Sequence, residues 1–228
     1  MLLQNISFKI QDKFILKNIN TEFKKGINLI IGPNGSGKST LLKIIYQINE
    51  QTTGEIKDNQ KKNISYLGQY NSIFHNVEVE YFLKLNRYLK TNKIIIDQYT
   101  ERIIDIFSIR HLLKQALSSL SGGERQKVMI ASVFLLEKPV VLLDEPLSFL
   151  DISAKLEIVK ILENEFKNLK LIIVTHNFNI FKNINKVIAL KEGHIFYDGE
   201  NKPDFRLLEK LFDIEGSDYF SYLPLAPG

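Results

Sequence analysis

One stretch decides the fold of this chain: Gly32-Pro33-Asn34-Gly35-Ser36-Gly37-Lys38-Ser39-Thr40. It follows the apolar run 27–31 and precedes the apolar run 41–45, an order that predicts a strand, a glycine loop and a helix. Gly32 and Gly37 enclose four residues, and Lys38 and a hydroxyl residue come next. This spacing is that of a P-loop, which binds the phosphate groups of a nucleotide.

Each residue type in the stretch suits that chemistry. Glycines allow the chain to curl until several backbone N–H groups point at one phosphate group. We expect Lys38 to place its charge on the β- and γ-phosphates and Ser39 to offer its hydroxyl to Mg²⁺. The helix that follows directs its positive end at the same anion. All nine residues of the stretch are therefore nucleotide-binding candidates, and Lys38 is also a catalytic candidate.

Length and composition restrict the function classes. A chain of 228 residues holds one core with a small inserted subdomain, but not two full domains. It contains no cysteine, and no signal peptide precedes the first strand-like segment, so we expect a reducing cytosolic location without disulfides or thiolate metal sites. The longest apolar run, 128–136, falls short of the ~20 residues that a membrane-spanning helix needs. The net charge of +4 comes from scattered lysines without stacking aromatics, which argues against a nucleic-acid partner.

The order of hydrophobic patterns predicts an α/β fold with a mostly parallel sheet, an antiparallel β subdomain and an inserted α-helical subdomain. Alternating residues predict antiparallel strands over 2–23, and helical periodicity covers 77–136. Apolar runs at 140–143 and 171–174 flank an amphipathic segment, which predicts a βαβ unit buried on both faces. The remaining predicted features are a turn at Thr53-Gly54, a strand at 64–67, a hairpin over 187–197, a helix at 203–212 and an aromatic end at 219–222. Within a single domain we predict four parts. They are the β and P-loop half (1–70), the helical subdomain (71–136), the second half of the core (137–200) and the C-terminal helix and tail (201–228).

Two apolar runs end in residues that suit a phosphate site. Asp144 and Glu145 follow one run, and Thr175 and His176 follow the other. Ligands of parallel sheets bind at the carboxyl ends of the strands, so these residues are expected near the P-loop. There Asp144 can reach Mg²⁺, Glu145 is a candidate general base for an attacking water, and His176 is a candidate γ-phosphate contact.

A second glycine-bearing helix start lies at residues 120–127. Ser121, Gly122 and Gly123 open this helix, and its free N–H groups and dipole form a second anion site. One chain with two half-sites suggests that another copy supplies Ser121-Gly122-Gly123 to each P-loop. Ordinary P-loop kinases and small GTPases have no need of this feature.

With these motifs the sequence resembles the nucleotide-binding subunit of an ABC transporter over residues 1 to 200. The P-loop, the 120–126 signature, the 140–146 Walker B segment, the 148–151 D-loop and the switch histidine His176 occur in the family's order and spacing. The resemblance implies a head-to-tail dimer that encloses two ATP molecules with Mg²⁺. It further implies that Gln69 senses Mg²⁺ and the membrane subunits, and that Asp151 crosses the dimer interface. The expected partners are transmembrane permease subunits and, through them, a solute-binding protein, at the cytoplasmic face of the cell membrane.

Two departures from the family pattern concern single residues. The family usually stacks an aromatic side chain on adenine, and Ile10 stands at that position. Phe8 and Phe14 are the alternatives, although core packing is the ordinary role of both. Asn177 stands where an acidic residue often follows the histidine, and we expect only a local change in capping.

Three short segments of the sequence bear on the identity of the transported substrate. Residues 150–152, 77–80 and Arg87-Tyr88 resemble importers of iron chelates, haem and cobalamin. The alternatives are an exporter or a metal-ion importer with the same chemistry. A soluble ABC-type ATPase acting on nucleic acid or ribosomes is the remote alternative, because such proteins usually carry long coiled-coil insertions or tandem ATPase units.

Overall fold

The computed structural model describes residues 1–58, 60–69 and 76–214. Its strands are β1 (Leu2–Ile10), β2 (Lys13–Glu22), β3 (Gly26–Ile31), β4 (Thr53–Lys57), β5 (Ile64–Leu67), β6 (Val140–Asp144), β7 (Lys170–Val174), β8 (Lys186–Lys191) and β9 (His194–Gly199). Its helices are α1 (Lys38–Ile45), α2 (Val79–Thr91), α3 (Gln98–Ile106), α4 (Gly122–Phe134), α5 (Ile152–Glu165) and α6 (Phe205–Phe212). Among the described residues, no helix is long and apolar enough to cross a bilayer.

A six-stranded sheet forms the centre of the molecule, in the order β5-β6-β7-β3-β8-β9. Its first five strands run parallel, and β9 runs antiparallel to β8. The strand before the P-loop, β3, and its second neighbour β6 are buried along their whole length. Helices cover both faces of a parallel sheet, so continuous apolar runs are the expected pattern. The predicted mostly parallel sheet and its βαβ unit are confirmed.

Alternate side chains of β3 enter two separate hydrophobic cores. Leu29 and Ile31 join the core that contains α2, α3, α4 and α5. Ile30 points the other way, into a core with Leu41 and Leu42 of α1 and with β1 and β2. The P-loop helix α1 is therefore held between the parallel sheet and the antiparallel sheet.

The antiparallel sheet has the order β2-β1-β4 and differs from the prediction at two points. Thr53 and Gly54, predicted as a turn, begin β4, which pairs with β1. At Gly54 (φ +90°) a Cβ atom would lie 2.4 Å from the carbonyl oxygen of Gln4, so this glycine permits a close crossing of two strands. In β1, Asn5 adopts φ +52° and interrupts the strict alternation of sides.

The predicted helical insertion is confirmed as α2, α3 and α4, and a buried arginine joins them. The side chain of Arg87, on α2, is 7% exposed. Its Nε donates to Asp97 Oδ2 at 2.8 Å, and one terminal nitrogen donates to the Leu135 carbonyl at 3.0 Å and to Glu137. Its guanidinium carbon lies 4.9 Å from the centre of the Tyr99 ring. Arg87 thus connects α2 to the start of α3 and to the end of α4.

Replacing Arg87 with Leu is expected to lower the free energy of unfolding by about 2 kcal/mol, because it removes the donor of the buried Leu135 carbonyl and of the partly exposed Asp97 and Glu137 carboxylates. The measurement is urea-induced unfolding followed by circular dichroism. Arg102→Leu is the matched control, because Arg102 pairs with Glu165 at the surface, where both side chains are at least 40% exposed. An ion pair at the surface contributes about 0–1 kcal/mol to the free energy of unfolding. Equal unfolding midpoints for the two variants would contradict a holding role for Arg87.

The C-terminal helix, predicted at 203–212, is present as α6. Asp204 caps it by accepting a hydrogen bond from the Leu207 N–H at 2.8 Å. Leu208 and Leu211 are buried in the core of the helical side. The predicted aromatic end at 219–222 lies outside the described residues.

Candidate active site

A cleft of about 360 Å³ lies where β3, β6 and β7 end. These three strands are neighbours in the sheet, so the P-loop, Asp144-Glu145 and Thr175-His176 meet at one edge. The described residues that line the cleft are Ile15, Asn34, Gly35, Gly37, Lys38, Ser39, Thr40, Gln69, Glu145, Val174 and His176. The structure therefore brings together the P-loop, Gln69, Glu145 and His176, as the sequence predicts.

Two glycines allow the P-loop to pack directly on its neighbours. At Gly32 (φ +141°) a Cβ atom would lie 2.1 Å from the carbonyl oxygen of Leu190 on β8. At Gly37 (φ +102°) a Cβ atom would lie 2.6 Å from Leu16 Cδ2 on β2. A side chain fits neither position, and left-handed backbone is costly for other residues. The loop shape that exposes its N–H groups therefore requires glycine at both ends.

Lys38 folds back over the loop that precedes it. Its Nζ donates to the carbonyl oxygens of Gly32 at 2.8 Å and Pro33 at 2.9 Å, and the residue is 7% exposed. Burial lowers the pKa of Lys38, and the nearby charges of Glu145 and Asp144 act in the opposite direction. The ammonium group is thus already placed at the mouth of the phosphate loop.

Ser39 and Asp144 form an oxygen-rich pair beside the P-loop. The Ser39 hydroxyl donates to Asp144 Oδ1 at 3.0 Å, and Asp144 is buried. Burial raises the pKa of Asp144, whereas the Ser39 hydrogen bond and the charge of Lys43 oppose that shift. Hydroxyl and carboxylate oxygens are the ligands that Mg²⁺ prefers. The buried Ser36 hydroxyl makes no hydrogen bond within the described residues, so it is available to a ligand. Ser36, Ser39 and Asp144 therefore fit a phosphate chain with magnesium.

Glu145 combines burial with an incompletely satisfied carboxylate. It follows β6 with φ +53°, a costly conformation for a residue other than glycine. Its Oε1 atom lies 3.2 Å from His176 Nε2 and makes no hydrogen bond within the described residues. Burial raises the pKa of Glu145 to about 7, and burial lowers the pKa of His176. The imidazole is therefore neutral at pH 7, so this contact is not a salt bridge between two full charges, and Glu145 is poised to accept a proton near neutrality.

We expect kcat/KM for ATP hydrolysis to fall on the acidic side with an apparent pKa near 7. The group must be ionised to accept a proton, and a raised pKa places its protonation inside the physiological range. At pH 6 the rate constant should be about tenfold below its plateau. The measurement is kcat/KM between pH 5.5 and 8.5, with nucleotide affinity measured at each pH as the control. A flat profile over that range would contradict the base role of Glu145.

The signature residues lie on a well-formed helix start. Ser121 caps α4 by accepting a hydrogen bond from the Glu124 N–H at 3.2 Å, and its own N–H donates to Glu124 Oε2 at 2.9 Å. Ser121 and Gly122 are exposed. Asp151 caps α5 by accepting from the Ala154 N–H at 2.8 Å. Among the described residues that line the cleft, none belongs to these two helix starts, so one chain alone does not bring them to its own P-loop.

The three candidates for the adenine contact all lie outside the cleft lining. Phe8 packs against the core around α1, whereas Ile10 is 56% and Phe14 is 46% exposed on the β1–β2 hairpin. Ile15, one residue further on β2, lines the cleft instead. The sequence analysis considered the neighbouring Phe14 because it is aromatic, and no local sequence feature identifies Ile15 as a binding residue. At the other departure, the Asn177 N–H donates to Thr175 Oγ1 at 3.0 Å, and Lys155 Nζ on α5 donates to Asn177 Oδ1 at 3.4 Å.

A second, smaller cleft of about 210 Å³ adjoins the first through Ser39 and Gln69. Lys43, Tyr66, Gly68 and Asp144 complete its lining. Gln69 thus borders both the phosphate side and the Asp144 side of the site. Sequence reasoning missed Lys43 and Tyr66, although the i, i+4 spacing of Ser39 and Lys43 on α1 was a usable signal.

Comparison with known proteins agrees with these motifs. The model of the ABC transporter family matches residues 16–148. The zinc import ATP-binding protein ZnuC of Pasteurella multocida is 32% identical over 212 residues, which cover 89% of this chain and 79% of that protein. The molybdate/tungstate import ATP-binding protein WtpC of Methanocaldococcus jannaschii is 32% identical over 210 residues, 88% of this chain and 69% of that protein.

A solved structure shows the same fold. It is the dimeric ATP-binding cassette MJ0796 in a post-hydrolysis state with ADP and Pi, with a TM-score of 0.76 and 23% identity. The alignment covers 89% of this chain and 99% of that one. The predicted architecture of a P-loop core with β and helical subdomains is therefore that of known cassettes.

Proposed function

Because this chain belongs to the ABC transporter family and is an ATP hydrolase of that family, we propose that it is the ATPase subunit of a metal-ion importer, with zinc as the favoured cargo. The observation that carries the ATPase role is the cleft in which Lys38, Ser39, Glu145 and His176 converge. The relatives named for zinc import support the zinc cargo, and the relative named for molybdate/tungstate import supports an importer.

The proposed binding step uses the P-loop. Its N–H groups and the start of α1 receive the phosphate chain of ATP. A phosphate oxygen is a stronger partner for an ammonium group than a neutral carbonyl. Lys38 is therefore expected to release the Gly32 and Pro33 carbonyls and to bind the β- and γ-phosphates.

The proposed hydrolytic step uses Glu145 as the base. The oxygen of a water molecule attacks the γ-phosphorus, the bond from that phosphorus to the bridging oxygen breaks, and Glu145 accepts the proton of the water. Ser39 and Asp144 would hold Mg²⁺, with Gln69 bordering the same space, and the ion would neutralise charge on the phosphate oxygens. His176, whose Nε2 lies 3.2 Å from Glu145 Oε1, contacts the γ-phosphate.

A second copy of the chain completes the site in this proposal. Ser121, Gly122 and Gly123 would bind the γ-phosphate held by the partner's P-loop, and Asp151 would lie at the interface. Two exposed apolar side chains flank Asp151, with Phe149 77% and Ile152 69% exposed. Apolar side chains grouped in this way typically mark an interaction surface.

The short matches to importers of iron chelates, haem and cobalamin have structural explanations. Arg87 holds three helices together. Residues 77–80 pair with the segment before the signature, where the Leu117 N–H donates to the Val77 carbonyl at 2.8 Å and the Val79 N–H donates to the Gln115 carbonyl at 3.0 Å. Leu150 is buried and Asp151 caps a helix. These residues support no particular cargo, and the relatives named for zinc import favour the alternative of a metal-ion importer.

The partners in this proposal are permease subunits, which hold the chain at the cytoplasmic face of the membrane, and a solute-binding protein. The test is to co-express the chain with the permease genes encoded beside its own in a host that lacks high-affinity zinc uptake. We expect uptake of radioactive zinc that disappears with Glu145→Gln. Zinc uptake unaffected by that variant would contradict the ATPase role, and uptake of a ferric chelate instead of zinc would contradict the cargo.

A further inference from the structure

We propose that Tyr66 is a positioning residue for the magnesium site, whose hydroxyl fixes the orientation of the Asp144 carboxylate. This inference rests on the proposed function, since it concerns the same metal site. It adds a residue that none of the motifs contains.

The sheet places Tyr66 beside Asp144. In the parallel pair β5–β6, Tyr66 lies opposite Leu142. Side chains of a strand alternate, so Leu142 and Asp144 point to the same face, and Tyr66 shares it. This is the face that packs on α1, from which Ser39 reaches the carboxylate.

The carboxylate of Asp144 has a different partner on each oxygen. Oδ1 accepts from the Ser39 hydroxyl at 3.0 Å, and Oδ2 accepts from the Tyr66 hydroxyl at 3.5 Å. Two partners on opposite oxygens restrict rotation of the carboxylate plane, which keeps Oδ1 directed towards Ser39. The Tyr66 contact is long, and we expect it to shorten when magnesium and nucleotide bind, as hydrogen bonds of empty sites often do.

The ring of Tyr66 is itself held in place. It packs against the core around α1, and its centre lies 5.2 Å from that of the Tyr46 ring. This packing keeps the hydroxyl beside the Asp144 carboxylate.

The test is the affinity for Mn²⁺, measured by electron paramagnetic resonance in the presence of a non-hydrolysable ATP analogue. Loss of a residue that orients a metal ligand typically weakens metal binding by about 10- to 100-fold, and the long contact favours the lower figure, about tenfold for Tyr66→Phe. Tyr46→Phe is the matched control, because it removes a hydroxyl from the same ring pair and no carboxylate contact. We expect Mn²⁺ affinity within about twofold of wild type for Tyr46→Phe, and unchanged metal-free nucleotide affinity for both variants.

Wild-type Mn²⁺ affinity in Tyr66→Phe would overturn the inference while leaving the proposed function intact. Equal losses in both variants would overturn it as well, because they would trace the effect to ring packing. If the wild-type chain binds nucleotide but no Mn²⁺, the proposed metal site fails and the role of Tyr66 fails with it.

Discussion

Glu145→Gln is expected to lower steady-state ATP hydrolysis by about 10²- to 10⁴-fold, the usual contribution of a general base. The amide preserves the shape of the side chain but accepts no proton from water. Since Lys38 and the P-loop are untouched, ATP binding should persist, and an ATP-bound dimer should accumulate in the presence of the membrane partners. The measurements are phosphate release and the size of the complex with ATP.

Glu200→Gln provides the control, because Glu200 is exposed and pairs with Lys24 at the surface. It should hydrolyse ATP at the wild-type rate. Near-normal turnover of Glu145→Gln would remove Glu145 from its proposed role.

Glu145→Gln is also expected to change the free energy of unfolding, which can be measured without ATP hydrolysis. Folding raises the pKa of Glu145 from 4.5 to about 7, so the folded chain binds this proton more tightly than the unfolded chain. The proton on Glu145 therefore stabilises the folded chain. This stabilisation is complete below pH 4.5, the pKa of Glu145 in the unfolded chain, and is lost as the pH rises through about 7. At pH 8 Glu145→Gln should therefore exceed wild type in unfolding free energy, by at most about 3 kcal/mol.

Ser121→Arg is expected to abolish the ATP-dependent dimer while each chain still binds nucleotide. Ser121 is exposed at the start of α4 and lies outside the cleft lining of its own chain. A long cationic side chain there would occupy the space proposed for the partner's γ-phosphate and would break the capping box with Glu124. Analytical ultracentrifugation with ATP reports the dimer, and a fluorescent ATP analogue reports binding.

Ser108→Arg is the control, since Ser108 is also an exposed serine and lies beside α5, outside the lining of the cleft. It should dimerise as wild type does. An ATP-dependent dimer of Ser121→Arg would count against completion of the site by a second chain.

The sequence predicted those parts of the site that depend on local patterns. The P-loop is nine consecutive residues with a strand before and a helix after it, so the spacing of Gly32 and Gly37 sufficed. Asp144 and His176 were found because they end apolar runs, and parallel strands bring their ends together. The helix start at Ser121, Gly122 and Gly123 was likewise predicted from consecutive residues, and the structure adds a capping box with Glu124.

The parts that sequence reasoning missed depend on contacts between distant strands. Tyr66 meets Asp144 only because β5 pairs with β6, and 78 residues separate the two. Ile15 borders the cleft because β2 packs against the P-loop at Gly37. The Thr53-Gly54 pair resembles a turn in isolation, and only the crossing over β1 shows that Gly54 belongs to a strand.

The central claim is that two chains form each hydrolytic site, and a complementation measurement tests it most directly. Lys38→Ala removes the phosphate contact, Ser121→Arg blocks the second half-site, and each variant alone, assembled with the membrane partners, is expected to be inactive. A mixed complex contains one intact site, made of the P-loop of the Ser121→Arg chain and the signature of the Lys38→Ala chain. We predict that co-assembly of the two variants restores ATP hydrolysis well above that of either variant alone. A mixed complex as inactive as its two parents would contradict the account.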